Sequence, residues 1–265
     1  MKDFNTYKNH RPMGGKQGEW VGVEIECYMP YRGLIKGGHS HWETAQRKLS
    51  MLLKEADIPN VQVKGDSSVS SPDDGKYFEV EIALLFERTD KKPLRRLCRL
   101  LQKLNATANR TCGLHVHLDC RDLATETTVT YSSSGYAYQG APAIVRERGE
   151  KINNVLPLML KMVSKSRRNN SYCRPVMSDQ RSAINLGAFE RHKTIEVRLH
   201  QGTVQYSKIA NWVELLFRAS RAKQDMKVEN VTQLKKYLKR SPKVLTTYVQ
   251  KRIKQVNAIK GKKVA

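Results

Sequence analysis

Four short runs of this sequence put metal-ligating side chains on alternate residues. In Thr111-Cys112-Gly113-Leu114-His115-Val116-His117-Leu118-Asp119, the apolar Leu114, Val116 and Leu118 alternate with His115, His117 and Asp119. A pleated strand sends alternate side chains to opposite faces, so two imidazoles and a carboxylate converge on one side. Trp20 to Tyr28 repeats the pattern with Glu24 and Glu26, Tyr77 to Ala83 with Glu79 and Glu81, and Thr194 to His200 with Glu196, Arg198 and His200.

Any antiparallel sheet can have one polar, solvated face, and a single run of this kind means little. Composition separates the two cases. With 48 Lys+Arg against 25 Asp+Glu in the chain, a solvated face should be rich in Lys, Arg and Thr, yet these runs carry six carboxylates, three histidines and one arginine. Clustered carboxylates repel one another unless a cation holds them. Oxygen donors with an occasional imidazole suit Mg²⁺ or Mn²⁺ better than structural zinc, which favours thiolates. Arg198 beside Glu196 offers a fixed positive fork of the kind that binds a polyphosphate or a transferring phosphoryl group; a structural ion pair is the plainer alternative.

Other chemistries find no motif. No G-x-x-x-x-G-K-[ST] loop and no G-x-G-x-x-G turn occurs, so a nucleotide would depend on metal ions rather than a glycine-rich cradle. There is no G-x-S-x-G elbow. The five cysteines are scattered without C-x-x-C spacing, which argues against a disulfide framework or zinc ribbon and for a reducing, cytoplasmic setting. Cys112, near His115, is the one with any claim as a nucleophile.

The elements that must position these residues follow from periodicity. Alternation predicts strands over Trp20–Tyr28, Val61–Val63, Tyr77–Ala83, the His115 run and Thr194–His200. Helical spacing predicts Trp42 to Asp57, Lys91 to Asn105 with Asp90 as N-cap, Arg146 to Ser166 with a bend at Pro157, and Val204 to Ala222. The segment from Thr125 to Pro142 loses periodicity and is expected to be a long surface loop that could cover a site. Residues 1–18 are expected to form a flexible basic arm, 19–222 one catalytic domain, and 223–265 a basic helical extension. No segment approaches a membrane-spanning apolar run.

A net charge of +23 calls for an acidic partner. Residues 221–265 hold fourteen Lys or Arg against Asp225 and Glu229, with Tyr237 and Tyr248 interleaved. A nucleic acid or another polyanion is the partner expected for that stretch, and a nucleic-acid-binding protein with a structural or hydrolytic acidic face is the alternative to an enzyme.

Five motifs in order carry a family resemblance. These are Gly22-Val23-Glu24-Ile25-Glu26, the Asp66 turn leading to Glu79 and Glu81, Gly113-Leu114-His115-Val116-His117, Asn170-Ser171-Tyr172-Cys173, and Thr194-Ile195-Glu196-Val197-Arg198 through Gly202-Thr203. From about Gly18 to Ala222 the chain resembles the amidoligases, relatives of glutamine synthetase and glutamate-cysteine ligase. The resemblance implies an α+β fold: an antiparallel sheet with a concave acidic metal-binding face and helices packed on the other. It implies an ATP-dependent carboxylate-amine ligase working through an acyl phosphate, with Mg²⁺ or Mn²⁺, on a small or macromolecule-linked carboxylate and amine. Glu24, Glu26, Glu81, His115 and Glu196 match metal ligands, with Glu79 an equally spaced rival to Glu81. His117, Arg181, Asn185 and Arg198 match the nucleotide and phosphate side. Arg198 would act in catalysis, and Glu79 or Asp119 would take the proton from the amine. Ala83-Leu84-Leu85 stands where the family has a Ser-Pro-Pro-like stretch, and Asp66-Ser67-Ser68 lacks the family's glycine.

Overall fold

The computed structural model describes residues 16–35, 41–73, 75–123, 130–131, 137–138, 141–178 and 181–261. Most of the expected arm, most of the 125–142 loop and the last four residues lie outside the described residues.

Strand β1 (Trp20–Pro30) is followed by a 3-10 turn (Tyr31–Gly33), helix α1 (Trp42–Glu55), β2 (Val61–Lys64), β3 (Tyr77–Glu87), α2 (Lys92–Lys103) and β4 (Gly113–Asp119). Then come the two-residue strands β5 (Thr130–Tyr131) and β6 (Ala137–Tyr138), α3 (Ala143–Asn153), α4 (Leu156–Met162) and α5 (Lys165–Arg168). The chain continues with β7 (Arg174–Ser178), β8 (Ser182–Asn185), α6 (Ala188–His192), β9 (Thr194–Gln201), α7 (Tyr206–Ala219), α8 (Val231–Tyr237) and α9 (Lys243–Gly261). The main sheet has the order β2-β3-β1-β4-β9-β8-β7 and is mostly antiparallel, β7 and β8 being the parallel pair. The fold is α+β. Among the described residues no helix is long and apolar enough to cross a membrane.

Two compact units divide the chain within β4, β9 and α7. Among the described residues, the amino-terminal unit comprises 16–117 and 200–210, and the carboxy-terminal unit 118–199 and 211–261.

The amino-terminal unit is built on the pairing of β1 with β3. Val21, Val23, Ile25, Cys27 and Met29 stand opposite Phe86, Leu84, Ile82, Val80 and Phe78, and all ten are buried. Opposed residues leave the sheet on the same side, so these ten make one apolar face. Leu49 and Leu53 of α1 and Leu94, Leu97 and Leu101 of α2 are likewise fully buried. α2 begins at Lys92 with Lys91 in the cap position, not Asp90, but the Asp90 carboxylate still accepts the Lys92 amide at 3.1 Å. Gly202 closes the unit, its N–H donating to the Cys112 carbonyl at 2.8 Å. A Cβ on Gly202 would stand 2.5 Å from Cys112 Cβ and 3.0 Å from both Ala108 Cβ and the Glu26 carbonyl oxygen, so only glycine fits without displacement.

In the carboxy-terminal unit the helix expected over 146–166 is three helices. Proline has no N–H to continue a hydrogen-bonded ladder, and Pro157 falls in the first turn of a new helix, where none is needed. α7 ends at Ala219, three residues before its expected end. Trp212, Val213 and Leu216 of α7, Ile152 of α3, and Leu158 and Met159 of α4 are buried with Val228, Leu234, Leu245 and Val249 from the last fifty residues. The basic C-terminal stretch is thus packed into this unit's core.

Candidate metal centre

The polar face of the β1–β3 pair sets Glu24 opposite Ala83, Glu26 opposite Glu81, and Tyr28 opposite Glu79. His115 from β4 reaches both glutamates of β1. Its Nδ1 is 3.1 Å from Glu24 Oε2 and its Nε2 3.2 Å from Glu26 Oε1. His117 Nε2 is 3.6 Å from Glu24 Oε1. The second oxygen of Glu26 accepts the backbone N–H of Gly113, which fixes the carboxylate's orientation. Both ring nitrogens of His115 thus face carboxylate oxygens, which gathers nitrogen and oxygen donors of a kind that can share a cation.

Two overlapping groups have ligand atoms all within 4.8 Å of one another: Glu24, Glu81 and His115, and Glu26, Asp66 and Glu81. Glu81 belongs to both. Burial raises its carboxyl to about 7, and repulsion from Glu24 adds to this, while Lys64 and His115 pull the other way. Glu24 moves oppositely. Burial pushes it up, but the charges and hydrogen bonds of His117 and His115 hold it well below the usual carboxylate range. Two neighbouring carboxylates that cannot both ionise freely are a site for a positive ion.

Glu79 does not join this group. Its Oε1 accepts the Ser71 N–H, so the turn before β3 holds it. Asp66 does join; it sits in that turn, outside any alternating run, its Oδ1 accepting the Ser68 amide at 2.8 Å. The available signal was that Asp66 is the sole acidic residue between Asp57 and Asp73. Lys64 was also missed, with its Nζ 3.4 Å from Glu81 Oε1. His200 is buried, its Nδ1 2.6 Å from the Gln201 carbonyl oxygen.

The carboxy-terminal unit contains the other candidates. Asn185 of β8 stands opposite Glu196 of β9 and donates to its Oε2 at 2.6 Å, while Arg198 donates to Glu196 Oε1 at 2.6 Å. Arg198 Nε also reaches the Tyr172 carbonyl at 3.3 Å. Arg181, with φ of 64°, lays its guanidinium over the Tyr172 ring at 5.2 Å. Asp119 is gripped by Arg121, whose Nε and second guanidinium nitrogen donate at 2.7 and 2.9 Å to its two oxygens.

No protein-family model matches the chain, and no curated protein does. Among solved structures, the ligand-free form of GmaS is similar over 93% of this chain and 70% of that one, with a TM-score of 0.45 and 10% identity. A likeness at that level leaves the function to be argued from the residues themselves.

Proposed function

We propose that the amino-terminal unit holds Mg²⁺ or Mn²⁺ for an ATP-dependent carboxylate-amine ligase. The observation that carries this reading is the gathering of Glu24, Glu26 and Glu81 about His115, with Asp66 joining Glu26 and Glu81. The donor set of carboxylate oxygens with one imidazole fits a hard divalent ion. The order of the five motifs supports the ligase class over other metal-dependent chemistries.

When bound, the ion supplies charge neutralisation at the phosphate oxygens of ATP. Glu24, Glu26, Glu81 and His115 are its ligands in this proposal, with Glu196 assigned on the motif alone. Arg198 is assigned to the transferring phosphoryl group, with His117, Asn185 and Arg181 on the nucleotide and phosphate side. A substrate carboxylate oxygen attacks the γ-phosphorus and ADP leaves. The amine then attacks the carbonyl carbon of the acyl phosphate, phosphate leaves, and a base takes the amine proton. Both Asp119 oxygens are occupied by Arg121, so Glu79 is the preferred base. Five free, buried cysteines fit the reducing cytoplasm proposed as its location.

The test is release of ADP and phosphate with Mg²⁺ across a panel of carboxylates and amines. Turnover should need ATP, the ion and both organic substrates, and Glu26→Gln and Arg198→Ala should abolish it. Product formed without ATP, or full activity in both variants, overturns the proposal.

A further inference from the structure

The ligase chemistry makes no use of the C-terminal helices, and no acidic residue occurs between 231 and 265. These helices are fixed parts of their unit. Leu234, Tyr237, Leu245, Val249 and Val256 are buried. The Tyr237 hydroxyl donates to the Lys151 carbonyl at 2.6 Å, and buried Arg252 donates to the Met162 carbonyl at 3.0 Å. Asn230 caps α8 by accepting the Gln233 amide at 2.9 Å. With that side committed, Lys235, Lys236, Lys239, Lys243, Lys251 and Lys254 are left exposed. Thr247, Gln250 and Asn257, exposed on α9, add hydrogen-bonding groups.

The chemistry of this face selects among anionic partners. Lipid binding by a surface helix needs Trp, Phe or Leu on the buried side, and among the described side chains the large apolar one exposed on these helices is Val244. Protein interface cores are depleted in lysine. Single-stranded nucleic acid is held by stacking bases on aromatic rings, but Tyr237 is 1% exposed and the Tyr248 hydroxyl is buried. Of the two tyrosines interleaved with the charges, Tyr237 therefore offers no platform and Tyr248 is only partly exposed with its hydroxyl turned inward. What remains is a rigid array of lysines and amides, which suits phosphates at fixed spacing. α9 is 19 residues long, about 28 Å, or roughly eight base-pair rises of duplex.

We propose that the exposed face of α8 and α9 binds the phosphate backbone of double-stranded nucleic acid without reading its sequence. The proposal is independent of the ligase chemistry and is tested with a chelator present.

Fluorescence anisotropy of the full chain with a labelled DNA duplex, an RNA duplex and a single strand of equal length reads it directly. Duplex binding should exceed single-strand binding and fall steeply between about 50 and 200 mM salt, with a log–log slope of about −5 for six phosphate contacts. Either triple change, Lys235→Gln with Lys236→Gln and Lys239→Gln, or Lys243→Gln with Lys251→Gln and Lys254→Gln, should reduce that slope by about 3. Circular dichroism checks that each variant keeps its helices. Changing Lys92, Arg99 and Lys103, exposed on α2, to Gln should leave the slope unaltered. The two duplex arms decide between DNA and RNA. Single-strand binding as tight as duplex binding, slopes unchanged in both lysine variants, or capture by phosphatidylserine vesicles without duplex affinity would each overturn the proposal.

Discussion

The acidic cluster of the amino-terminal unit and three carboxylates of the carboxy-terminal unit are held in opposite ways, although Asp57 and Glu19 of the amino-terminal unit are themselves paired with Arg96 and Arg88. In the carboxy-terminal unit Asp122 takes two bonds of 2.8 Å from Arg148, Asp119 is clasped by Arg121, and Glu196 is shared by Arg198 and Asn185. In the amino-terminal unit Glu24, Glu26, Glu81 and Asp66 meet two imidazoles and one lysine. A guanidinium fits a carboxylate through two parallel bonds and never gives up its charge. Asp122 and Asp119, held that way, have their charge balanced within the chain, whereas the clustered acids of the amino-terminal unit are those proposed to take an added cation.

The largest effect should separate the two kinds of acid by metal affinity. Glu24→Ala should weaken Mn²⁺ binding by more than about 100-fold, beyond what loss of an outer-shell partner costs, while Asp122→Ala leaves it unchanged; titration calorimetry reads both. If the two variants bind Mn²⁺ alike, the contrast between the units has no chemical meaning. The reverse asymmetry should show in stability. Asp122→Ala strands the Arg148 guanidinium, whose side chain is only 10% exposed, and should cost about 2 kcal/mol in denaturant unfolding, less than a fully buried pair because Asp122 itself touches solvent.

A smaller effect compares two glycines. Gly202→Ala drives a methyl group into Cys112 and the Glu26 carbonyl, and should cost about 1–2 kcal/mol while also lowering Mn²⁺ affinity. Gly149→Ala meets Leu186 Cδ2 and Met177 Sδ at 2.9 Å in the other unit, side-chain ends that can turn aside, and should cost less than Gly202→Ala with no effect on the ion.

The smallest effect is in pH dependence without metal. The Glu81 carboxyl is raised, so the folded state binds its proton more tightly than the unfolded chain does. Its contribution is full below the usual carboxylate value of 4.5 and is lost as pH rises through about 7. Glu24 is shifted the other way and titrates below that window. In chelator the unfolding midpoint should therefore decline from pH 5 to 8, less so in Glu81→Gln, and Mg²⁺ should flatten the profile. Asp122, held low against its burial by Arg148, contributes stability that is lost only on the acid side, as pH falls through its lowered value.

The strands bearing the candidate ligands were legible because a half-buried strand repeats every two residues. β1, β4 and β9 lie close to their expected limits for that reason. β3 was expected to stop at Ala83 and runs to Glu87, because Ala83-Leu84-Leu85-Phe86 is apolar on both faces and shows no alternation. β8 shows no apolar–polar alternation because Ser182 and Asn185 are buried along with Ala183 and Ile184, and β7 shows none because its residues are mostly exposed. In the metal centre, two-residue spacing does not distinguish Glu79 from Glu81; the contact that does so comes from Ser71, in a turn eight residues earlier. Asp66 reaches the cluster from that same irregular stretch. The inward turn of Tyr237 likewise depends on a bond to Lys151, 86 residues away in sequence.

Each unit is assembled from separated stretches of chain, and this bears on synthesis. Residues 16–117 supply the acidic cluster, but Gly202, whose N–H satisfies the Cys112 carbonyl beside β4, belongs to the 200–210 return. At ribosomal rates of about 5–20 residues per second, the intervening stretch of about 80 residues takes roughly 4–16 s to emerge. During that interval Glu24, Glu26, Glu81 and His115 have been synthesised while the last segment of their unit has not. If the proposed ion binds at that stage, it would link segments of the unit before the 200–210 return is available.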